Sequence, residues 1–197
     1  MDITQLILDD HHEQRRLFAM LEQIDRADTA TLEAIWARLS AFLEVHAAAE
    51  EAIFYPELLQ VGIRTGGTGT AEAETLDAIH DHNDIRDAIA VVAEHVVGSS
   101  EWFDAVAGVN LANSDHMAEE EREGLTDFRR HAGLELRHQL AVAFAAFEAR
   151  HFAGVVPVDK DPEAYVHEAE GAIPASDSGP ARTDGSLGIG NLGKGPA

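Results

Sequence analysis

His46-Ala47-Ala48-Ala49-Glu50-Glu51 and His116-Met117-Ala118-Glu119-Glu120-Glu121 are one short phrase written twice, 70 residues apart. In each copy a histidine stands four residues before a glutamate. On an α-helix that spacing puts both side chains on one face, about one turn apart. Each phrase also continues an apolar stripe at spacings of three and four. The first stripe runs Leu32, Ile35, Leu39, Phe42, His46, Glu50, Ile53, and the second runs Val106, Val109, Asn113, His116, Glu120. Histidine and glutamate thus occupy places where the pattern calls for leucine. Burying a carboxylate without a partner costs several kcal/mol, so these glutamates need a partner.

Working outward, a second pair of phrases appears. Asp10-His11 is answered by Asp81-His82 at a distance of 71, and Arg15 and Arg86 each follow their histidine by four. His11 lies in the stripe Ile3, Ile7, His11, Gln14, Phe18, Leu21, and His82 in Ile79, His82, Ile85, Ile89, Val92, Val96. A lone histidine on an apolar face is usually a satisfied core residue. Here four predicted helices contribute one each, and two of them add a glutamate. Imidazole with carboxylate suits iron or zinc, and facing helices of a bundle can hold such donors around an ion. The repeat implies two αα-hairpins presenting matching ligands, one ion per half. The expected ligands are His11, His46, Glu50, His82, His116 and Glu120. Glu51, Glu119 and Glu121 are expected to be solvated, and His12, His80, His95, His131, His138, His151 and His167 to lie outside the stripe. Tyr55, just before Pro56, reads as core filler with a second possibility: its phenol can contact the metal or its ligands.

The rest of the chain fits an all-α fold: an antiparallel four-helix bundle with an additional C-terminal helix. Pro56 is the only proline before Pro157. The expected helices are Asp2 to Arg26, a second capped by Asp28 or Thr29 and reaching Pro56, Glu72 to Val97, Glu101 to Arg130 behind a Ser99 or Ser100 cap, and Leu134 to His151. The glycine-rich stretch from Val61 to Thr70 has no Walker lysine and no preceding strand, so it reads as a plain connection rather than a phosphate cradle. Three units follow: the bundle over residues 1–152, a strap over 153–170 carrying Tyr165, Val166 and His167, and a glycine- and serine-rich tail over 171–197 that is expected to be disordered.

With 14 basic against 36 acidic side chains the net charge is -22 over 197 residues. That surface repels phosphate backbones and anionic lipid, which argues against nucleic acid and membranes as partners. Without cysteine there are no disulfides, thiolate sites or iron–sulfur clusters. Neither a basic signal-peptide start nor an apolar run of membrane length is visible, so a cytoplasmic location is expected.

The order His, His-x-x-x-Glu, His, His-x-x-x-Glu, together with Asp10-His11, Glu50-Glu51, Tyr55-Pro56 and Asp81-His82, resembles the haemerythrin-like HHE cation-binding family over about residues 2–130. The resemblance implies two non-haem irons bridged by carboxylates and an oxygen atom, reacting with hydrogen peroxide, dioxygen or nitric oxide. Oxygen-carrying haemerythrins place another histidine four residues after the third helix's histidine. Arg86 stands there, which weighs against reversible oxygen carriage and leaves Tyr55, a carboxylate or water to complete the site. The absence of any flavin, nucleotide or reductase motif favours a reaction that needs no external electrons. Catalase-like peroxide disproportionation in oxidative-stress defence is the expectation, with dioxygen or nitric oxide sensing as the alternative. Ferritin-like iron handling ranks last, because such sites pair Glu-x-x-His motifs with lone glutamates.

Overall fold

The structure is a computed structural model and describes residues 1–172. Among these residues it is all helical, without strands. The helices are α1 (Ile3–Gln23), α2 (Thr29–Ala49), a π-helical turn at Glu50–Phe54, α3 (Tyr55–Thr65), α4 (Thr68–Val92), α5 (Ser100–Arg122), α6 (Gly124–His131), α7 (Leu134–Arg150) and α8 (Pro162–Gly171). α1, α2 with α3, α4, and α5 with α6 form the four rods of the bundle. α7 packs on α1 and α2, and α8 packs on α3 and α4. None of these helices is long and apolar enough to cross a membrane.

Helix ends follow local chemistry. Asp2, Asp28, Ser99 and Asp161 each accept a backbone N–H of the first turn. The sequence left Asp28 or Thr29, and Ser99 or Ser100, open; the first of each pair is the cap. The glycine-rich connection is far shorter than expected. α3 continues to Thr65, and the reversal is made at Gly66, whose φ of 77° is the left-handed C-cap conformation, and Gly67. α4 stops at Val92 rather than Val97, so Val96 leaves the core and is exposed. The fourth rod is interrupted at Glu123, before the glycine at 124.

The second rod runs past Pro56 where a stop near it was expected. Proline removes an N–H and crowds the carbonyl four residues back. The chain answers with a wide turn in which the Tyr55 N–H bonds the Glu50 carbonyl, five residues away. At about 100° per residue an ordinary helix would carry Tyr55 well round from Glu50; the wide turn brings it back toward the same face.

The core falls into two apolar clusters. Ile3, Ile7, Phe54, Leu58, Ile79, Phe128 and Phe144 belong to one, and Leu17, Leu21, Leu32, Leu39, Ile85 and Trp102 to the other. Along every rod the polar stripe residues fall between them: His11 and Gln14 on α1, His46 and Glu50 on the second rod, His82 on α4, and Asn113, His116 and Glu120 on α5. All are buried. Asn113 closes part of the layer by donating to Gln14 Oε1 at 2.9 Å.

Candidate metal centre

The structure brings the six expected ligands into this one layer. His11, His46 and Glu50 form one triad, and Glu50, His82 and His116 form a second, each with ligand atoms within 4.8 Å of one another. Glu50 belongs to both. Its Oε1 lies 2.8 Å from His46 Nε2, and its Oε2 lies 3.2 Å from His82 Nε2 and 4.0 Å from His116 Nε2. One carboxylate therefore faces a histidine pair on each side, the arrangement of a bridging ligand. Glu120 sits on the first side, with Oε2 3.4 Å from His11 Nε2.

The polar atoms crowd together without satisfying one another. His11 Nε2, His46 Nε2, both Glu50 oxygens and Glu120 Oε2 are buried without a hydrogen-bond partner. Several are close in distance but misaligned for a hydrogen bond, as expected of donors aimed at a common point. His82 Nε2 and His116 Nε2 lie 3.2 Å apart, a contact that requires a proton or a cation between two nitrogen lone pairs. Such orphaned atoms at the centre of a core are costly unless an ion binds them. The donor set fits a pair of divalent cations.

Each ring has a carboxylate near its other nitrogen, in hydrogen-bond contact for His11 and His82 and close but misaligned for His46. His11 Nδ1 lies 3.0 Å from Glu121, His82 Nδ1 2.9 Å from Glu51, His46 Nδ1 3.4 Å from Asp10 and His116 Nδ1 3.5 Å from Asp81. Such contacts orient a ligating imidazole and leave Nε2 free for metal. Two of these carboxylates overturn an expectation. Glu51 is buried and Glu121 is half-buried, so neither is the solvated flank that was expected; Glu119 is. Arg86 Nη2 and Arg15 Nη2 then pair with Glu51 and Glu121, each at 2.7 Å. The arginine that replaces a histidine is thus a support for a brace, pointing at Glu51 and Glu44.

Charges follow these contacts. Burial alone would raise the Glu51 pKa; the hydrogen bond and charge of His82, then Lys160 and Arg86, reverse this and hold it at about 2. The hydrogen bond from His11 works against burial at Glu121 and, with Arg15, brings it to about 2. Burial opposes charge on His82, but Glu50 and Glu51 carry its pKa to about 9. Burial, then Asp10, pushes Glu148 to about 7.

Tyr55 is buried, and its hydroxyl donates to Glu120 Oε1 at 3.1 Å. It therefore holds the Glu120 carboxylate and is more than core filler. Burial first, then the surrounding glutamates, raises its pKa well above the ordinary phenol value, so it stays protonated. Beside it a cavity of about 30 Å³ reaches His116 and Glu120 between Leu58, Glu74, Asp77, Asp81, Glu119 and Glu123. A space of this size admits one water-sized molecule. The remaining histidines stay outside the layer: His12, His80, His131, His138 and His167 are exposed, while His95 and His151 are half-buried.

The family model of the hemerythrin HHE cation binding domain matches residues 2–126, most of the chain and a range that includes all six expected ligands. The chain belongs to that family. No curated protein and no solved structure gives a significant match. The family's cation-binding character agrees with the twin triads, and residues 127–172, including α7 and α8, lie beyond the matched region.

Proposed function

We propose that this hemerythrin-family chain binds two iron ions and disproportionates hydrogen peroxide to dioxygen and water. The observation that carries the reading is Glu50, fully buried, with one oxygen turned to each histidine pair. His11, His46, Glu50 and Glu120 would hold one ion, and Glu50, His82 and His116 the other. When bound, a pair of redox-active ions supplies the two-electron exchange that peroxide disproportionation requires and leaves positions open for a small oxygen species. Zinc or manganese would satisfy the same donors, but only a redox-active metal serves this reaction.

The chain's own residues support a small, uncharged substrate. The cavity is lined by acidic side chains, which repel anions and leave neutral peroxide unaffected. Apolar clusters on both sides keep bulk water from the layer. Tyr55 holds a proton at Oη beside Glu120 Oε1, a protonated group within reach of the cavity that His116 and Glu120 also line.

The test is oxygen release on adding peroxide to protein of known iron content, beside His46→Ala and Glu50→Ala variants. Oxygen evolution proportional to iron and absent from both variants is the expected result. Two bound irons without oxygen release would overturn the catalytic reading. A reversible spectral change with dioxygen or nitric oxide would then make the chain a binding or sensing module.

A further inference from the structure

The two halves of the metal layer are built from one repeated pattern, yet their surroundings differ. On the His11 side, Glu121 carries its brace with 29% of its side chain exposed and with one cation, Arg15, itself 38% exposed. On the His82 side, Glu51 is 2% exposed and is held from three directions. Arg86 Nη2 and His82 Nδ1 share its Oε1, and Lys160 Nζ lies 2.7 Å from its Oε2. The Tyr165 hydroxyl donates to the Glu51 carbonyl at 2.5 Å.

Lys160 and Tyr165 come from the C-terminal strap, beyond the 2–126 match. The strap is fixed to the same neighbourhood by a third contact. Asn83, next to His82, donates to the Lys160 carbonyl at 2.7 Å and accepts the Lys160 N–H at 3.1 Å. Lys160 also lies 5.2 Å from the centre of the Tyr165 ring. In a chain of net charge -22 with two lysines in all, one of them neutralises a buried carboxylate beside the metal layer.

We propose that the strap over residues 153–170 forms a clamp, through Lys160 and Tyr165, that fixes His82 by way of Glu51 and so sets the affinity of one cation position, the one made by Glu50, His82 and His116. That position has three protein donors against four on the other side, so it depends more on the orientation of each. Without Lys160, Glu51 Oε2 loses the one cation that faces it, and Arg86 alone is left to hold the carboxylate against His82 Nδ1. Lys160 and Tyr165 are positioning residues, acting on the ion only through Glu51. The inference rests on the cation-pair part of the proposed function and not on peroxide chemistry.

The experiment is a titration of metal-stripped full-length protein with Co²⁺, followed by calorimetry and by the visible cobalt bands. The variants are Lys160→Met, Lys160→Arg, Tyr165→Phe, Arg15→Met and His82→Ala. Wild type is expected to bind two equivalents. Loss of the direct partner of a ligating histidine typically costs 10–100-fold in affinity, and Lys160→Met, one contact further out, is expected to weaken one binding event by about tenfold, the lower end of that range. The event it weakens should be the one His82→Ala deletes. Lys160→Arg should restore affinity and the cobalt spectrum, Tyr165→Phe should shift the same event in the same direction, and Arg15→Met should weaken the other event instead. Equal weakening of both events by Lys160→Met, or no change in either, overturns the clamp. Should Lys160→Met lower metal-free stability so far that it does not fold, Tyr165→Phe, which keeps the ring and its packing, decides alone. Fewer than two equivalents bound by wild type would instead refute the cation pair itself.

Discussion

Glu74 offers a test of the electrostatics around the entrance to the layer. It lies on α4 and lines the cavity that reaches His116, and its Oε2 is buried without a hydrogen-bond partner. Burial, then the charges of Asp127 and Glu123, raises its pKa from 4.5 to about 7. A carboxyl group whose pKa is higher in the folded than in the unfolded chain binds more protons when folded. Stability therefore falls as pH rises from 4.5 to about 7, and the whole penalty is present above that range. At about 1.36 kcal/mol per pKa unit the full span sets an upper limit of about 3 kcal/mol. The residue is only partly buried, and solvent screening reduces the expectation to about 1 kcal/mol. Glu74→Gln should accordingly stabilise the metal-stripped protein by about 1 kcal/mol at pH 8, a rise in melting temperature of about 2–4 °C. Near pH 5 the two proteins should differ much less, and added salt should shrink the gain at pH 8. Urea unfolding at both pH values is the assay. Equal gains at pH 5 and 8, or a loss at pH 8, would refute the reasoning.

Three further outcomes are expected. Glu50→Ala should abolish binding of both cobalt equivalents, because each of its oxygens faces one histidine pair, whereas Glu120→Gln should spare the His82 and His116 position; metal analysis after dialysis distinguishes them. Tyr55→Phe should cost about 1–3 kcal/mol in the metal-free protein, since buried Glu120 Oε1 loses its donor; unchanged urea unfolding would contradict this. Stripping the cations should lower the melting temperature by an amount that grows with the logarithm of the metal concentration used for comparison, with each site contributing about 4 kcal/mol at a thousand times its Kd. A melting temperature indifferent to chelator would mean the layer is stable without ions.

The buried polar layer was legible because it breaks a pattern: His46, Glu50, His116 and Glu120 stand where a helical stripe demands apolar residues. Its braces were not, and the reason is geometric. Glu51 and Glu121 lie about 100° round the helix from Glu50 and Glu120. In an isolated helix such residues face water, but in a bundle that direction meets the next rod. The signal was present in the repeat, since Glu51 and Glu121 recur 70 residues apart, and Arg15 and Arg86 recur 71 apart, with opposite charge. Lys160 had no such signal, because its partner is 109 residues away and belongs to a segment with no counterpart in the repeat. The wide turn at Glu50–Phe54 was half-visible in Pro56, which announces a disturbance without saying whether the rod stops or bulges.

The braces also show why neither hairpin can serve alone. Asp10 and Asp81 lie beside a histidine of their own half, His46 and His116, but Glu51 crosses to hydrogen-bond His82 and Glu121 crosses to His11. Each half therefore braces a histidine of the other, and separating the hairpins would remove both of these contacts at once. The repeat is then broken at a place that sets the two glutamates apart. Tyr55 corresponds to Leu125, so only Glu120 meets a phenol, and one of its oxygens is committed to that hydroxyl. Glu50 meets no such donor, and both its oxygens remain turned to the histidines. A near-symmetric set of six side chains thus places four of them on one side of the layer and three on the other, Glu50 counted in both, and the strap packs against the side that has fewer.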